Sequence, residues 1–143
     1  MNPANPKFIA LLHWYSQLTP DNLAALPEHY SEQARFKDPF NNVSGHAAIR
    51  QIFSHMFATV AEPRFVIIEQ LHDAQQGFAT WVFHFGLNGK NYQVLGSSHF
   101  RFAPDGRCTE HRDYWDPAEE LWQKLPLIGA PVRWLRRRFV AHA

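Results

Sequence analysis

The sequence predicts an α+β domain in which three N-terminal helices cover a curved, antiparallel or mixed sheet and enclose an apolar pocket. Apolar residues recur three and four positions apart up to about residue 60, then alternate with a period of two to about residue 115. Two turn signals, Asn88-Gly89 and Asp105-Gly106, divide the alternating part into hairpins. Helices that precede such a meander pack on one side of its sheet, so the expected shape is a cone.

The chain of 143 residues is expected to form one domain over residues 1–143, with a helical, basic extension at 118–143. Its formal net charge of +1 gives no electrostatic footprint for nucleic acid, so no nucleic-acid partner is expected. No apolar run approaches the roughly 20 residues that a membrane-spanning helix needs, and the first residues lack the pattern of a signal peptide. A cytoplasmic location is therefore expected, and the single cysteine, Cys108, cannot form an internal disulfide.

Three helices are predicted before the strands begin. The first carries apolar residues at helical spacing between residues 8 and 18. Thr19-Pro20-Asp21 supplies an N-cap, a proline for the first turn and an acid near the positive helix end, and opens a second helix that would carry Tyr30. Ser44-Gly45 begins a third helix, which the next proline closes. Its buried side would carry Ile49, Ile52, Phe53, Met56, Phe57 and Val60.

The alternating part places its side chains on the two faces of a sheet. The first turn signal sets Phe85 opposite Tyr92, and the second, read as a two-residue loop, pairs Ala103 with Cys108. Both registers agree on one concave, mainly aromatic face. That face carries Trp81, Phe83, Phe85, Val94, Ser98, Phe100, His111, Asp113 and Trp115, and the convex face carries His84, His99, Cys108 and Glu110.

Two ionisable residues, His111 and Asp113, lie on the aromatic face. Burying such groups without partners costs about 1–3 kcal/mol each, which indicates either a function or a set of buried partners. Two positions apart on one strand, they point the same way about 7 Å apart. They either share a ligand or a water molecule, or are satisfied by Tyr15, Ser98 or the backbone. A His-x-Asp pair with a further histidine would suit non-haem iron, but no second histidine falls on this face, so no metal is expected.

Asp38 is the third candidate catalytic residue. It follows a short alternating segment that ends at Pro39, and it shares a face with Phe36. Two interpretations are open. Asp38 is either a general base whose proton affinity is raised by apolar neighbours, or the cap of a loop at the end of the strand.

Two pairs of short motifs follow each other along the chain. The first is Phe36-Lys-Asp-Pro39 before Gly45-His-Ala-Ala-Ile-Arg50, and the second is Ser98-His-Phe-Arg-Phe102 before the strand of residues 106–115. In this order they resemble the nuclear transport factor 2-like superfamily and, within it, the SnoaL-like and ketosteroid-isomerase-like group. The resemblance spans residue 6 to about residue 117. It implies a cone-shaped α+β barrel with a deep apolar pocket, and often a homodimer packed through the convex face of the sheet.

The resemblance also implies roles for single residues. Asp38 matches the general base of the ketosteroid isomerases, which moves a proton between carbons beside a carbonyl. The position of their protonated acid falls on Ser98, and their first-helix phenol falls on Trp14 or Tyr15. A supporting tyrosine of their third helix falls on Phe53, so the donors that stabilise an enolate in that family are partly replaced here.

His111 and Asp113 resemble the polyketide cyclases and hydratases of the superfamily, which mix aspartate and histidine in the pocket. The chain is therefore expected to be a small enzyme without a cofactor, an isomerase, cyclase or dehydratase, that moves protons within a small apolar or polycyclic ligand. Asp38 would take a proton, His111 would return it or polarise an oxygen, and Asp113 would orient the imidazole. The alternative is a non-catalytic ligand-binding or dimerisation module. The expected ligand contacts are Trp14, Tyr15, Phe53, Trp81, Phe83, Ser98, Phe100 and Trp115.

The C-terminal extension ends in a basic, amphipathic segment. Its arginines, Arg133, Arg136, Arg137 and Arg138, surround apolar residues between positions 132 and 140. The favoured interpretation packs the apolar stripe on the domain and leaves the arginines in solvent. The alternative is a helix that binds a membrane surface or an anionic partner.

Overall fold

The computed structural model describes residues 5–141 and confirms the predicted α+β class. Its helices are α1 (Pro6–Ser16), α2 (Leu26–His29), α3 (His46–Thr59), α4 (Pro117–Glu120) and α5 (Gly129–Arg137), with 3₁₀ turns at Asp21–Ala25 and Trp122–Lys124. Its strands are β1 (Tyr30–Lys37), β2 (Asn42–Ser44), β3 (Ala61–His72), β4 (Gln76–Leu87), β5 (Lys90–Phe102) and β6 (Cys108–Tyr114). Within the described residues, no helix has both the length and the apolar content needed to cross a membrane.

One six-stranded sheet runs in the order β2-β1-β6-β5-β4-β3. β1 and β6 are parallel and the other neighbours are antiparallel, so the sheet is mixed, with β2 and β3 as its edges. α1 and α3 pack on one face, here called the inner face, and touch β1 and β3. The apolar core fills the space between them. Its aromatic members are Phe8, Trp14, Tyr15, Tyr30, Phe36, Phe53, Phe65, Trp81, Phe85, Tyr92 and Phe100.

The predicted hairpin at Asn88-Gly89 is confirmed. Both residues have positive φ, 51° and 78°, as a tight two-residue loop requires. The register that follows sets Trp81 opposite Gly96. The indole ring of Trp81 lies so close to this glycine that any added Cβ would overlap it, which explains a residue without a side chain in the middle of a strand.

The two-residue loop predicted at Asp105-Gly106 is wrong. The amide of Ala103 donates to the carbonyl of Arg107 at 2.8 Å, and the amide of Gly106, at φ 89°, donates to the carbonyl of Ala103 at 2.8 Å. The loop therefore spans residues 104–106. Pro104 favours this longer turn because its fixed φ suits the first central position, and the glycine then takes the left-handed place at its end.

The longer loop changes the register only near the turn. The pairs Phe100–His111 and Ser98–Asp113 are confirmed, but Phe102 lies opposite Cys108, and not opposite Thr109 as predicted. The extra residue on β6 is absorbed by an irregularity between these pairs. Cys108 consequently turns inward and is 1% exposed, so its predicted place on the convex face is wrong.

The second predicted helix is shorter than expected. A 3₁₀ turn and the single α-helical turn of α2 replace it, and Tyr30 begins β1. Proline at position 27 has no amide hydrogen to continue the preceding 3₁₀ turn. Beyond it, parallel pairing of Tyr30 with Cys108 draws the chain into the sheet. This strand pairing joins residues that are far apart in sequence, so no pattern of neighbouring residues predicts it.

The favoured interpretation of the C-terminal extension is also wrong. In α5, Trp134 and Leu135 are each 55% exposed and Phe139, just after it, is 84% exposed. The side that faces the domain carries arginines: Arg133 and Arg136 bond to Gln123 in the preceding turn. The apolar stripe is turned outward because these polar contacts occupy the inward side.

Cys108 is expected to be unreactive in the folded protein. Burial raises the pKa of its thiol well above the ordinary value, so neither access nor the reactive thiolate is available. An aromatic disulfide reagent at neutral pH should label the native chain only as fast as it unfolds. The same chain in concentrated urea, the control, should react at once. Equal rates in the two conditions would contradict the buried position.

Candidate functional site

An apolar cavity of about 340 Å³ lies between α3 and the inner face of the sheet. This volume is within the range of small-molecule sites. Buried residues such as Tyr15 and Trp81 line its inner part, and exposed residues such as Phe40 and Thr59 mark its mouth. Two carboxylates, Asp38 and Asp113, also line it. The remaining apolar lining consists of Phe36, Ile52, Phe53, Met56, Val60, Phe65, Phe83, Phe85, Leu87, Val94, Trp115 and Leu121.

The carboxylate of Asp113 is set into the apolar wall on β6. Its Oδ1 accepts two hydrogen bonds, from the Ser98 hydroxyl at 2.5 Å and from His111 Nε2 at 2.7 Å. The indole N–H of Trp81 donates to the Ser98 oxygen at 2.8 Å and so directs the hydroxyl hydrogen toward the carboxylate. Among residues 5–141 no hydrogen bond reaches the other oxygen, Oδ2. That oxygen can accept a proton or a hydrogen bond from a ligand.

His111 lies behind Asp113 and does not line the cavity. It is fully buried, and its ring packs 4.4 Å from the ring of Phe100 and 4.7 Å from that of Phe36, centroid to centroid. Its Nδ1 lies 2.8 Å from the Tyr30 hydroxyl. Because a carboxylate only accepts, Nε2 of the neutral ring carries the hydrogen and Nδ1 accepts from Tyr30. Both ring nitrogens are occupied, and the imidazole holds the carboxylate in place.

Tyr15 presents a hydroxyl that has no hydrogen-bond partner within the part of the chain that the structure describes. Burial raises the pKa of this hydroxyl well above its ordinary value, and the charge of Asp113 adds to the effect. Tyr15 therefore keeps its proton at physiological pH and can only gain by donating it to an acceptor. Tyr15 is among the residues that line the cavity, and its hydroxyl oxygen is itself buried without a partner in the described residues, which costs about 1–3 kcal/mol.

Asp38 lies at the turn between β1 and β2. Its Oδ1 accepts from the amides of Phe40 at 2.8 Å and Asn41 at 2.7 Å, and the Asn41 side chain reaches both carboxylate oxygens, at 3.1 and 3.2 Å. Asp38 thus caps this turn, as the second interpretation of the sequence held. It also lines the cavity near Phe40, so the two interpretations are not exclusive.

Three of the predicted ligand contacts do not line the cavity. The indole N–H of Trp14 donates to the carbonyl of Asn22 at 2.9 Å, away from the site. Ser98 contacts Asp113, and Phe100 packs on the ring of His111. The other five predicted contacts, which line the cavity, are Tyr15, Phe53, Trp81, Phe83 and Trp115.

Two parts of the site are not predictable from the sequence patterns. Tyr30 is missed because helix spacing assigns it to the second helix. Ile52, Met56 and Val60 are predicted as the buried side of α3, but spacing alone cannot separate a core position from the wall of a cavity. For Tyr30, the one sequence signal for a strand was its place at the start of the alternating run of residues 30–37, since tyrosine favours strands.

Solved structures share this fold with the chain. An NTF2-like protein of unknown function from Burkholderia pseudomallei is 17% identical, with a TM-score of 0.71 over 82% of this chain and 95% of that one. An LEH-like epoxide hydrolase from M. tuberculosis is 14% identical, with a TM-score of 0.68 over 92% and 95%. The epoxide hydrolase/cyclase-like enzyme of pyran ring formation in the polyether salinomycin is 17% identical, with a TM-score of 0.66 over 78% and 91%. At such identities the likeness concerns the fold alone.

The α+β fold of the chain is the fold of the solved structure described above as NTF2-like. The SnoaL-like domain model matches residues 11–111, which is more than half of the chain. The protein therefore belongs to the SnoaL-like domain family, as the sequence motifs predicted. A comparison with curated proteins gives no match.

The two buried phenols of the site are expected to respond oppositely to loss of the hydroxyl. Tyr30→Phe leaves Nδ1 of His111 without a donor and should lower the free energy of unfolding by about 1–3 kcal/mol. Tyr15→Phe removes an unpaired hydroxyl and should leave that free energy unchanged or raise it by up to about 1 kcal/mol. Urea unfolding of the two variants measures the difference. Equal destabilisation of both would contradict the pairing described here.

Proposed function

We propose that this SnoaL-like protein is an enzyme that moves protons on a small, apolar, oxygen-bearing ligand, with Asp113 as general base. The observation that carries the proposal is the free Oδ2 of a carboxylate whose other oxygen is fixed by Ser98 and His111 in an apolar wall. A base with one oxygen anchored and one oxygen open has a defined direction of attack. Asp113 therefore offers one oxygen to a proton of the ligand.

Asp113 is preferred to Asp38 because of what already binds each carboxylate. Both oxygens of Asp38 accept hydrogen bonds inside its turn, so both already hold the loop in place. Asp113 has donors on one oxygen only. Asp38 then contributes a second negative charge near the mouth and fixes the loop that carries Phe40.

The proposal reverses the roles that the sequence suggested for His111 and Asp113. His111 becomes a positioning residue: it bonds to Oδ1 of Asp113 and is itself held by Tyr30. The group that meets the ligand oxygen is Tyr15, whose hydroxyl keeps its proton and has no other acceptor in the described residues. Base and donor together are the minimum for acid–base chemistry beside an oxygen atom.

Two reaction classes use this pair of groups. In isomerisation, the carboxylate removes a proton from carbon beside a carbonyl and returns it to another carbon of the ligand. In ring closure, the carbanion attacks a second carbonyl carbon, and the proton returns to the oxygen of that carbonyl. In both, Tyr15 donates a hydrogen bond to the oxygen on which charge develops. In epoxide opening, the carboxylate takes a proton from water as the water oxygen attacks a ring carbon, and Tyr15 donates to the departing epoxide oxygen. Two fold neighbours bear names of the second class, an LEH-like epoxide hydrolase and an epoxide hydrolase/cyclase-like enzyme.

Asp113→Asn is expected to abolish turnover and retain binding. The amide keeps the shape of the side chain but cannot take a proton, so the rate should fall about 10²–10⁴-fold. Two probes cover the two classes: styrene oxide, followed as its diol, and a β,γ-unsaturated steroid ketone, followed as its conjugated isomer. Binding of each probe is measured by displacement of anilinonaphthalene sulfonate from the cavity.

Glu110→Gln is the matched control, because it removes one carboxylate from the same strand on the solvent side. It should leave both the rate and the binding unchanged. Turnover by Asp113→Asn at the wild-type rate would exclude the base role. Displacement of the dye by both probes without turnover of either would favour the alternative function, a non-catalytic ligand-binding module.

We also propose that two copies associate through the outer face of the sheet. That face exposes Phe78, Leu95 and Tyr114, and the ring of Phe78 stacks on His99 with centroids 4.3 Å apart. Apolar side chains on adjacent strands form a patch that a two-fold contact would cover. Sedimentation equilibrium should give a dimer for the wild type and a monomer for Phe78→Asp. A wild-type chain that stays monomeric at high concentration would refute this interface.

A further inference from the structure

We infer that α5 and the turn before it bind the surface of a membrane that contains anionic phospholipid. The segment from residue 127 to residue 140 holds six of the fourteen large apolar side chains that are exposed among the described residues. A tenth of the chain therefore carries far more exposed apolar side chains than an even distribution would place there, which indicates an apolar patch. The six are Leu127, Ile128, Trp134, Leu135, Phe139 and Val140.

The attachment of α5 to the domain keeps the apolar side outward. Arg133 and Arg136 bond to the carbonyl and side-chain oxygens of Gln123, and Arg136 lies 3.5 Å from the carboxylate of Glu119. The 3₁₀ turn that contains Gln123 is itself fixed to β5, because Lys124 of this turn donates to the carbonyl of Gln93 at 2.8 Å. α5 is therefore held by polar contacts, and Leu135 and Phe139 remain in solvent.

The turn before α5 displays an apolar side chain in a strained backbone. The amide of Ile128 donates to the carbonyl of Pro126 at 2.8 Å, and Leu127 between them has φ 67°. A tight turn of this kind is unfavourable for a residue with a side chain. Leu127 is also 94% exposed, so no contact within the described residues offsets the cost of this backbone conformation. Insertion of Leu127 among lipid chains would do so.

The positive charge of the same segment favours anionic lipid. From residue 121 to the end the sequence has no Asp or Glu, but it has Lys124 and four arginines. Arg137 and Arg138 are exposed, and the Arg138 guanidinium lies over the Trp134 ring, 5.5 Å from its centroid. Arginine and tryptophan together suit the headgroup layer of an anionic bilayer. A second copy fits less well, because a two-fold contact between α5 helices would bring like charges together.

The extension also reaches the cavity, since Leu121 is part of its lining. Binding at a bilayer would therefore bring the cavity close to the lipid, in which apolar ligands dissolve. This link to ligand uptake rests on the proposed function. Lipid binding itself does not.

The test is co-sedimentation of the full-length protein with vesicles. One set contains phosphatidylcholine alone, and the other an equimolar mixture of phosphatidylcholine and phosphatidylserine. We expect binding to the mixed vesicles to be at least about tenfold stronger, and to weaken as salt is added. Leu127→Ser with Phe139→Ser should reduce binding to mixed vesicles at least about tenfold, because both side chains are almost fully exposed. Arg137→Gln with Arg138→Gln should remove the preference for phosphatidylserine.

Ile9→Ser, an exposed apolar residue of α1, is the matched control and should bind mixed vesicles like the wild type. Circular dichroism of each variant checks that the fold is kept. The inference is overturned if the wild type ignores mixed vesicles, or if the Leu127/Phe139 variant binds them as well as the wild type does. It is also overturned if that variant changes the oligomeric state and Ile9→Ser does not, since the patch would then be a protein interface. Vesicle binding is scored without any ligand, so its failure leaves the assignment of Asp113 untouched.

Discussion

The pairing of β5 with β6 fixes the position of the Asp113 carboxylate and of the two side chains that bond to it. It sets Ser98 opposite Asp113 and Phe100 opposite His111, all on the inner face of the sheet. Side chains alternate along a strand, so a slip of one residue would carry the aspartate and the histidine to the outer face and remove the Asp113 carboxylate from the cavity. The Asn88-Gly89 turn supports the same arrangement from the other side, because it aligns Trp81 with Gly96 and within reach of Ser98.

The buried carboxylate is tolerated because two chains of hydrogen bonds converge on it. Trp81 donates to Ser98, which donates to Asp113; Tyr30 donates to His111, which donates to the same oxygen. The residues of the network come from four strands, so it also ties β1, β4, β5 and β6 together. Connected networks of this kind strengthen one another in a medium of low polarity. The satisfied side faces the sheet, and the open oxygen belongs to the side that lines the cavity.

Each difference between the sequence prediction and the structure has an identifiable physical origin. At Asp105-Gly106 the dipeptide is a strong hairpin signal, but the preceding Pro104 lengthens the loop and moves Cys108 into the core. At Tyr30 a local helix pattern gives way to pairing with a strand almost eighty residues away. In α5 the amphipathic pattern is real, but polar contacts of Arg133 and Arg136 with Gln123 decide which side faces the domain. At Tyr30 and in α5, contacts outside the local pattern outweigh a correct local preference, whereas at Asp105-Gly106 a neighbouring residue changes the type of turn.

The sequence by itself determined the fold class, the inner face of the sheet and the family, because the alternation of apolar residues and the turn dipeptides act over a few positions. It also brought His111 and Asp113 to one face, since that follows from a period of two. The tertiary structure alone decided which of them meets the cavity. That depends on Tyr30 and Ser98 filling the bonding positions of the imidazole and of one carboxylate oxygen, and these partners come from β1 and β5. The tertiary structure also decided that the helices leave a cavity above the sheet. Residue spacing predicts that a side chain points inward, but it does not predict whether other side chains fill the space in front of it.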